Sequence, residues 1–529
     1  MQGTKSKAFL YATIVALGGF IFGLDAAVIS GTIGYITQEF GLTALQQGSV
    51  VGSAALGVLV ALPFAGYACN AFGRKRTLQI IAALYVFSAL CSALAPSFVT
   101  LVAARFIGGL AFSSISVSSM YIGEIAPPHM RGKLVSMTQI NIVVGLSAAY
   151  FVNYLIQSLA GSGADWVSAI GLDVHTWRWM LGTEVLPALL WLGMLSIIPL
   201  SPAWLIYRGR KEEASQTLAK LLPAADVPEA VREMEASLGS DGAEQPAMEQ
   251  LKEIFSPAMR TILIIGVTMG IVQQATGINA ILFYAPTVFE QLGIGTDAAF
   301  MQAIWVGLTG IFFTVLAILL VDRLGRRPII LGGLLWIALS LALCAYGFSS
   351  ARYNITDQAI TEMAEVPGVE KLRGLVGQEF TSDIAFKDAV SDLLGVKVAR
   401  ENSSILLEKS GTLPAILILI GILSFIAAFH FSVGPLMWVL FSEIFPISIR
   451  GIAIPFFTLI TSITSYFVQQ FFPWQLETMG GTAIFLFYAS MVTIGMIILW
   501  FYLVETKNMT IEEIQALLIR LEKKVEEST

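Results

Sequence analysis

Long apolar runs alternate with short polar joins along most of this chain. Each run approaches or exceeds the ~20 residues that a helix needs to cross a bilayer. The twelve runs, numbered here as spans 1 to 12, cover roughly 8–30, 47–69, 77–95, 98–122, 134–157, 177–199, 258–290, 298–321, 328–349, 412–440, 451–472 and 480–504. The pattern predicts an all-α membrane protein with twelve transmembrane helices in two six-helix bundles.

One long polar stretch, 207–253, separates the sixth run from the seventh. It contains helix-like blocks at Lys211–Leu222 and Val227–Leu238. The sequence therefore predicts a six-helix bundle over 1–200, a cytoplasmic helical connector over 201–257, a second bundle over 258–505 and a cytoplasmic tail over 506–529.

The same polar cassette occurs in both halves. GRKR at Gly73–Arg76 precedes EIAPPHMRG at Glu124–Gly132, and GRRP at Gly325–Pro328 precedes EIFPISIRG at Glu443–Gly451. Matching basic turns in two hydrophobic halves indicate a duplicated membrane bundle, and such proteins bind their substrates between the repeats. Transport is therefore the first interpretation.

The second half also carries an insertion. Gly325 and Glu443 are 67 residues further apart than Gly73 and Glu124, and most of the excess falls in 350–411, between spans 9 and 10. We expect amphipathic helix there, as at Phe386–Leu394, and interpret the insertion as an exposed extracytoplasmic cap or partner surface.

Composition excludes several classes of protein. A chain of 529 residues with 56% hydrophobic and 13% charged residues is not a soluble globule. Cys69, Cys91 and Cys344 lack metal-ligand spacing, and no nucleophile–base set or basic patch with interleaved aromatics occurs. We expect no enzyme activity, cofactor, metal site or nucleic-acid partner.

Basic residues concentrate in alternate loops. The loops 70–78, 129–134, 322–328 and 447–452 hold nine Lys and Arg residues, whereas the alternate loops 31–47, 92–100, 158–177, 290–299 and 473–481 hold none. Short loops rich in Lys and Arg stay in the cytoplasm. Both termini are therefore predicted to be cytoplasmic, in a plasma membrane such as the bacterial inner membrane.

Four long motifs, in order, resemble the sugar-porter family of the major facilitator superfamily. They are GGFIFGLDAAVISG (Gly18–Gly31), YIGEIAPPHMRGKLVSMTQ (Tyr121–Gln139), QQATGINAILFYAP (Gln273–Pro286) and GPLMWVLFSEIFPISIRG (Gly434–Gly451). Within that family the chain is most similar to bacterial proton-coupled symporters of the xylose–proton type. The resemblance implies a functional monomer in a lipid bilayer, carrying a sugar and protons.

Asp25 lies in the middle of span 1, where a carboxylate costs ~2.5–3.5 kcal/mol on insertion scales. Arg105 in span 4 is the candidate partner, and the pair is either structural or a proton site. The resemblance favours proton coupling through Asp25 and Arg105.

Span 7 is the candidate substrate helix. Gly270, Gln273, Gln274 and Gly277 share one face, while Asn279 lies roughly 140° from it at ~100° per residue. The helix must therefore break near Gly277 if these amides meet one ligand. Primary amides both donate and accept hydrogen bonds, which suits a neutral sugar, although they also tie helices together.

The resemblance extends the substrate-binding set. It adds Gln139 and Trp438 to Gln273, Gln274 and Asn279. Polar or aromatic contacts of relatives are replaced here by Leu146, Phe283, Gly310, Thr461 and Ser462, so xylose itself is not assured. His430 has no counterpart and is interpreted as a packing residue.

The basic cassettes are interpreted as a gate that holds the cytoplasmic side shut. The resemblance assigns this gating set to Glu124, Arg131, Glu184, Asp322, Arg323, Arg326, Arg327, Glu443 and Arg450. The resemblance is weaker after spans 6 and 12, where two short motifs of the family are altered to PLSPAWL (Pro199–Leu205) and VETKN (Val504–Asn508).

Three functions fit these observations. Proton-driven import of a monosaccharide such as glucose, galactose or xylose leads, and a passive facilitator with a structural Asp25–Arg105 pair is the alternative. A non-transporting sugar sensor is less favoured, because only about 25 residues follow span 12.

Overall fold

The computed structural model describes residues 2–126, 131–223, 226–239, 247–446, 449–509, 513–514 and 516–518. Apolar helices in these residues form two bundles. The spans of the first bundle are the helices Gln2–Val28, Ala44–Phe72, Arg74–Ala93, Phe98–Ala111 with Ser114–Ile125, Arg131–Ala160, and Thr176–Gly182 with Val185–Met194. Those of the second are Arg260–Ala275 with Ile278–Phe283 and Ala285–Glu290, Thr296–Leu324, Arg326–Ser349, Ala415–Phe431 with Val433–Ile444, and Arg450–Tyr502.

The described residues account for twelve crossings. Ten helical stretches are long and apolar enough to span a membrane, and one of them, Ile452–Tyr502, has 51 residues. At ~1.5 Å per residue that helix is about two and a half times as long as a bilayer core is thick. It turns at Gly480, where φ is 75°, and so supplies spans 11 and 12. Span 6 is divided at Thr183–Glu184 into two short helices, which completes the predicted twelve.

Span 7 breaks where the sequence predicts. The helix Arg260–Ala275 ends just before Gly277, which has φ of 80°. A β-carbon on Gly277 would also lie 2.8 Å from the ring of Tyr488. Glycine is therefore required at this position for two reasons: it adopts this backbone conformation at low cost, and it has no β-carbon to overlap the ring. Span 10 is also broken, at Ser432.

The two bundles approach closely where small residues face each other. A β-carbon on Gly48 of span 2 would lie 1.8 Å from the carbonyl oxygen of Gln470 in span 11. A β-carbon on Gly307 of span 8 would lie 2.5 Å from Ser147 Oγ in span 5. Such contacts let membrane helices pack backbone to backbone.

Hydrogen bonds join the bundles on one side of the membrane. We call the side that holds the turns at Gly73 and Gly325 the basic side, and the other the far side. On the far side Gln157 Nε2 donates to Asp297 Oδ1 at 3.2 Å, and Gln470 Nε2 donates to the Leu45 carbonyl at 3.0 Å. The structure is therefore closed on the far side.

The insertion folds as a small unit of its own on the far side. Its four helices are Asp357–Glu362, Asp383–Leu394, Val396–Glu401 and Ser403–Ser410, with a 3-10 turn at Val369–Leu375. Strand β1 (Arg352–Asn354) pairs antiparallel with both β2 (Glu379–Phe380) and β3 (Gly411–Thr412). The predicted helix at Phe386–Leu394 is confirmed, whereas the strands were not predicted from the sequence.

Shorter helices connect the spans. On the basic side, both predicted connector helices are present with somewhat different ends. The connecting helices are Ile33–Phe40, Asp165–Ala169, Pro202–Tyr207, Lys211–Leu218, Val227–Gly239 and Ala247–Ile254, with 3-10 turns at Ile29–Gly31 and Pro257–Met259.

Candidate substrate and proton-binding site

A buried ion pair joins spans 1 and 4. Arg105 Nη1 donates to Asp25 Oδ1, and Arg105 Nη2 donates to the Asp25 carbonyl oxygen at 3.4 Å. Asp25 and Arg105 are only 1% and 2% exposed. The structure thus brings together the two residues predicted as the proton-coupling pair.

Glu184 belongs to the same cluster. Its side chain is 2% exposed, and its carboxyl group lies close enough to that of Asp25 for the two to interact. Glu184 Oε1 and Asp25 Oδ2 are both buried, and neither has a hydrogen-bond partner among the described residues. The sequence grouped Glu184 with the gate, but the structure places it beside Asp25, so a second carboxyl group adjoins the Asp25–Arg105 ion pair.

The broken part of span 7 holds a chain of amides. Gln274 Nε2 donates to Gln273 Oε1 at 2.5 Å, and Asn279 Nδ2 donates to Gln274 Oε1 at 2.8 Å. Asn279 Nδ2 also donates to Ser465 Oγ in span 11 at 2.8 Å, and Ser465 in turn accepts from Gln469. The three predicted amides therefore meet in one place, and they reach across to span 11.

The other two predicted substrate contacts lie on different helices. Gln139 in span 5 is half-buried, and Trp438 in span 10 is 40% exposed with its ring edge-to-face against Phe441. No hydrogen bond links either side chain to the span 7 amides in the part of the chain that the structure describes. Their place in a substrate site stays a prediction.

His430 fills the space that Gly310 leaves. A β-carbon on Gly310 would lie 3.2 Å from His430 Nε2, and His430 Nδ1 lies 3.2 Å from Thr314 Oγ1. His430 is buried and its Nε2 has no partner. The ring therefore packs as expected, but it also places a polar atom without a partner against Gly310.

The basic turn of the first half forms a compact cluster with the end of span 4. Arg74 Nε donates to Glu124 Oε1 at 2.8 Å, and Ser201 Oγ donates to Glu124 Oε2. Each interaction remains within the first half of the chain.

The second half repeats this cluster. Arg326 Nη2 donates to Glu443 Oε1 at 2.9 Å, and Thr506 Oγ1 donates to Glu443 Oε2 at 2.5 Å. Asp322 pairs with Arg326 at 3.1 Å. Because the pairs Arg74–Glu124 and Arg326–Glu443 each stay within one half, they stabilise each half and do not tie the basic side shut in this conformation.

The remaining gating predictions have different outcomes. Arg327 Nη2 donates to the Trp500 carbonyl at 3.0 Å, and Lys507 donates to the Arg323 carbonyl at 2.7 Å. The side chains of Arg131 and Arg450 lie outside the described residues.

Glu505 is a residue that the sequence analysis missed. Its carboxylate accepts from the backbone N–H groups of Arg326 and Arg327, the first residues of span 9. It also accepts from the N–H groups of Thr506 and Lys507. Burial tends to raise the pKa of Glu505, but these four N–H donors outweigh it and hold the pKa below its usual value. The corresponding position in the first half is Leu200, so only one half has this cap.

Sequence comparison now identifies the family. The sequence model described as "Sugar (and other) transporter" matches residues 11–363 and 397–518. The chain belongs to this family. It is accordingly an integral membrane transporter and not an enzyme.

Characterised relatives extend over nearly the whole chain. The arabinose-proton symporter of Bacillus subtilis (strain 168) is 31% identical over 526 residues, which are 98% of this chain and 97% of the relative. The D-xylose-proton symporter of Escherichia coli (strain K12) is 33% identical over 550 aligned positions, with coverage of 98% and 96%.

A solved structure supports the fold. The inward open conformation of the xylose transporter XylE from E. coli superposes with a TM-score of 0.72 at 30% identity, covering 96% of this chain and 99% of that one.

Proposed function

We propose that this chain imports a neutral monosaccharide together with a proton by alternating access. The buried cluster of Asp25, Glu184 and Arg105 carries the proposal, because a passive carrier of neutral sugar needs no second carboxyl group there. The neighbouring sugar transporters whose names specify a proton support the same reading.

The cluster can take up one proton and respond to it. Two carboxyl groups side by side in a buried site repel each other when both are ionised, so the pair readily holds a proton. When the proton moves to Asp25, its attraction for Arg105 weakens, and spans 1 and 4 lose their ionic tie. A change of this kind shifts the balance between inward-facing and outward-facing states.

The amide chain of span 7 supplies the sugar site. Gln273, Gln274 and Asn279 bond to one another, and a sugar can replace these bonds with its own hydroxyl groups. Gln139 and Trp438 complete the proposed site, and an indole face suits the apolar side of a pyranose ring.

The gate and the orientation follow from the same scheme. We propose that the clusters around Glu124 and Glu443 associate across the basic side when the far side opens. The basic side faces the cytoplasm with both termini, in keeping with the positive-inside bias. The protein acts as a monomer in the plasma membrane, the bacterial inner membrane being the expected case.

Uptake into membrane vesicles tests the proposal. Radiolabelled glucose, galactose and xylose are offered under an imposed inward proton gradient, with and without uncoupler, to wild type and Asp25→Asn. We expect at least one sugar to accumulate uphill in wild type and only to equilibrate in the variant, because an asparagine side chain carries no titratable proton.

Two other outcomes would change the conclusion. Wild type that only equilibrates each sugar, with Asp25→Asn equally active, indicates a facilitator in which the ion pair is structural. If none of the three sugars is transported, the proposal is refuted for glucose, galactose and xylose. Asp173→Asn, on a far-side loop, serves as the control for the loss of a negative charge alone.

A further inference from the structure

We propose that the 350–411 insertion builds a second sugar-binding site, an external vestibule above the closed far side. The inference rests on the proposed function for the class of ligand, a neutral saccharide. The vestibule is a cavity of about 800 Å³ between the insertion and the far ends of both bundles. That volume is within the ~300–1,000 Å³ typical of small-molecule pockets.

The insertion is fastened in place as one wall of this cavity. Arg400 Nη2 donates to Glu477 Oε1 at 2.6 Å, beyond span 11, and Lys387 Nζ donates to Gln291 Oε1 at 2.9 Å, beyond span 7. The insertion has its own buried core, in which the rings of Tyr353 and Phe386 stack at 5.2 Å. A folded unit held at two points makes a fixed wall rather than a loose loop.

The first bundle supplies the facing wall. Gln38 and Gln47 line the cavity, and Gln38 Nε2 donates to the Glu401 carbonyl of the insertion at 3.3 Å. Both bundles and the insertion thus meet around one space.

The vestibule is distinct from the midplane site. Gln273, Gln274 and Asn279 are all described, and none lines the cavity. Between the two sites lie the far-side contacts, among them the hydrogen bond from Tyr150 to the Leu282 carbonyl at 2.5 Å. A sugar in the vestibule is therefore separated from the midplane site by the far-side contacts.

The lining chemistry selects an uncharged polyol. Neutral donors and acceptors come from glutamine and serine side chains on opposite walls, including Gln38, Gln47, Ser391 and Ser404. Five carboxyl-bearing residues and two cationic residues also line the cavity, and both cations are already hydrogen-bonded to protein groups. The excess negative charge repels anions such as sugar phosphates.

Part of this wall lies outside the residues that the family sequence model matches. That model passes over 364–396, and Lys387, Asp388 and Ser391 of the lining fall inside that gap. Substitutions in this wall therefore leave the residues proposed for transport unaltered.

Binding stoichiometry tests the inference. Full-length protein in lipid nanodiscs is titrated with radiolabelled glucose and xylose, and the number of sugars bound per chain is measured. We expect two in wild type. Ser391→Trp and Ser404→Trp, on separate helices, should each fill the vestibule and reduce the number of bound sugars to one per chain. Asn279→Ala in the midplane site should also reduce it to one.

The control keeps the same bulk on the same unit. Thr361→Trp lies on an exposed helix face of the insertion away from the cavity, and it should retain two sites. For uptake, the vestibule variants should raise KM several-fold, whereas Thr361→Trp should leave it unchanged.

The results that would contradict the vestibule can be distinguished from those that would contradict the proposed transport. A single site in wild type that survives both vestibule variants and disappears in Asn279→Ala overturns the vestibule and leaves the proposed transport intact. Absence of saturable binding of either sugar to wild type contradicts both proposals.

Discussion

The position of Glu184 beside the Asp25–Arg105 ion pair predicts that Glu184 can replace Asp25 as the partner of Arg105. Breaking a buried ion pair by removing one partner costs ~3–5 kcal/mol, because the other charge stays buried and unpaired. Asp25→Asn should cost less, about 1–2 kcal/mol, since Glu184 lies beside Asp25 and can take over the pairing with Arg105.

A double-mutant cycle isolates the effect. Glu184→Gln alone should be nearly neutral, below ~1 kcal/mol, because Asp25 keeps the direct bond to Arg105. The double variant removes both carboxylates and should show the full ~3–5 kcal/mol. The interaction energy is then about 1–3 kcal/mol, within the range found for residues in contact.

The assay is the free energy of unfolding, from denaturant titration of purified protein in mild detergent. As a control, Asp25→Asn is combined with Glu477→Gln, which removes the Arg400 contact at the insertion, and those effects should add. The reasoning is refuted if Asp25→Asn alone is as destabilising as the double variant, since Glu184 would then not serve Arg105.

Three further predictions concern other parts of the molecule. Glu505→Gln should cost ~0.3–1 kcal/mol at neutral pH by removing a carboxylate from the start of span 9. Because the pKa of Glu505 is lowered, its stabilisation is present above the ordinary value of ~4.3 and is lost as pH falls through the lower folded value. The deficit in the free energy of unfolding of the variant should therefore be smaller at pH 3 than at pH 7. Gly310→Asn should cost ~1–3 kcal/mol and reduce uptake by crowding His430, and added His430→Ala should restore both; an unimpaired single variant would contradict the packing. Gly48→Val should prevent far-side closure, because its β-carbon would overlap a backbone carbonyl of span 11. A membrane-impermeant thiol reagent added from the far side should then label Asn279→Cys faster than it does in a protein that keeps Gly48. Equal labelling rates in the two proteins would count against the closure contact.

The sequence by itself determined the spans and the chemistry placed within them. Membrane insertion depends on the apolar content of each segment, so the runs could be read one at a time. The break at Gly277 was likewise local, because the positions of Gln274 and Asn279 on one helix required it. The pairing of Asp25 with Arg105 was also predictable, because few ionisable residues occur within spans and such groups seek each other.

Other features were decided only by tertiary structure. Glu184 was assigned to the gate by resemblance alone, since its place in the chain does not show which neighbouring span its side chain meets. The contact of Asn279 with Ser465, the cap provided by Glu505 and the sheet of the insertion each join segments distant in sequence. The physical reason is that the insertion of a segment into lipid depends on its own residues. Which face of a helix contacts its neighbours, in contrast, depends on the packing of all twelve spans.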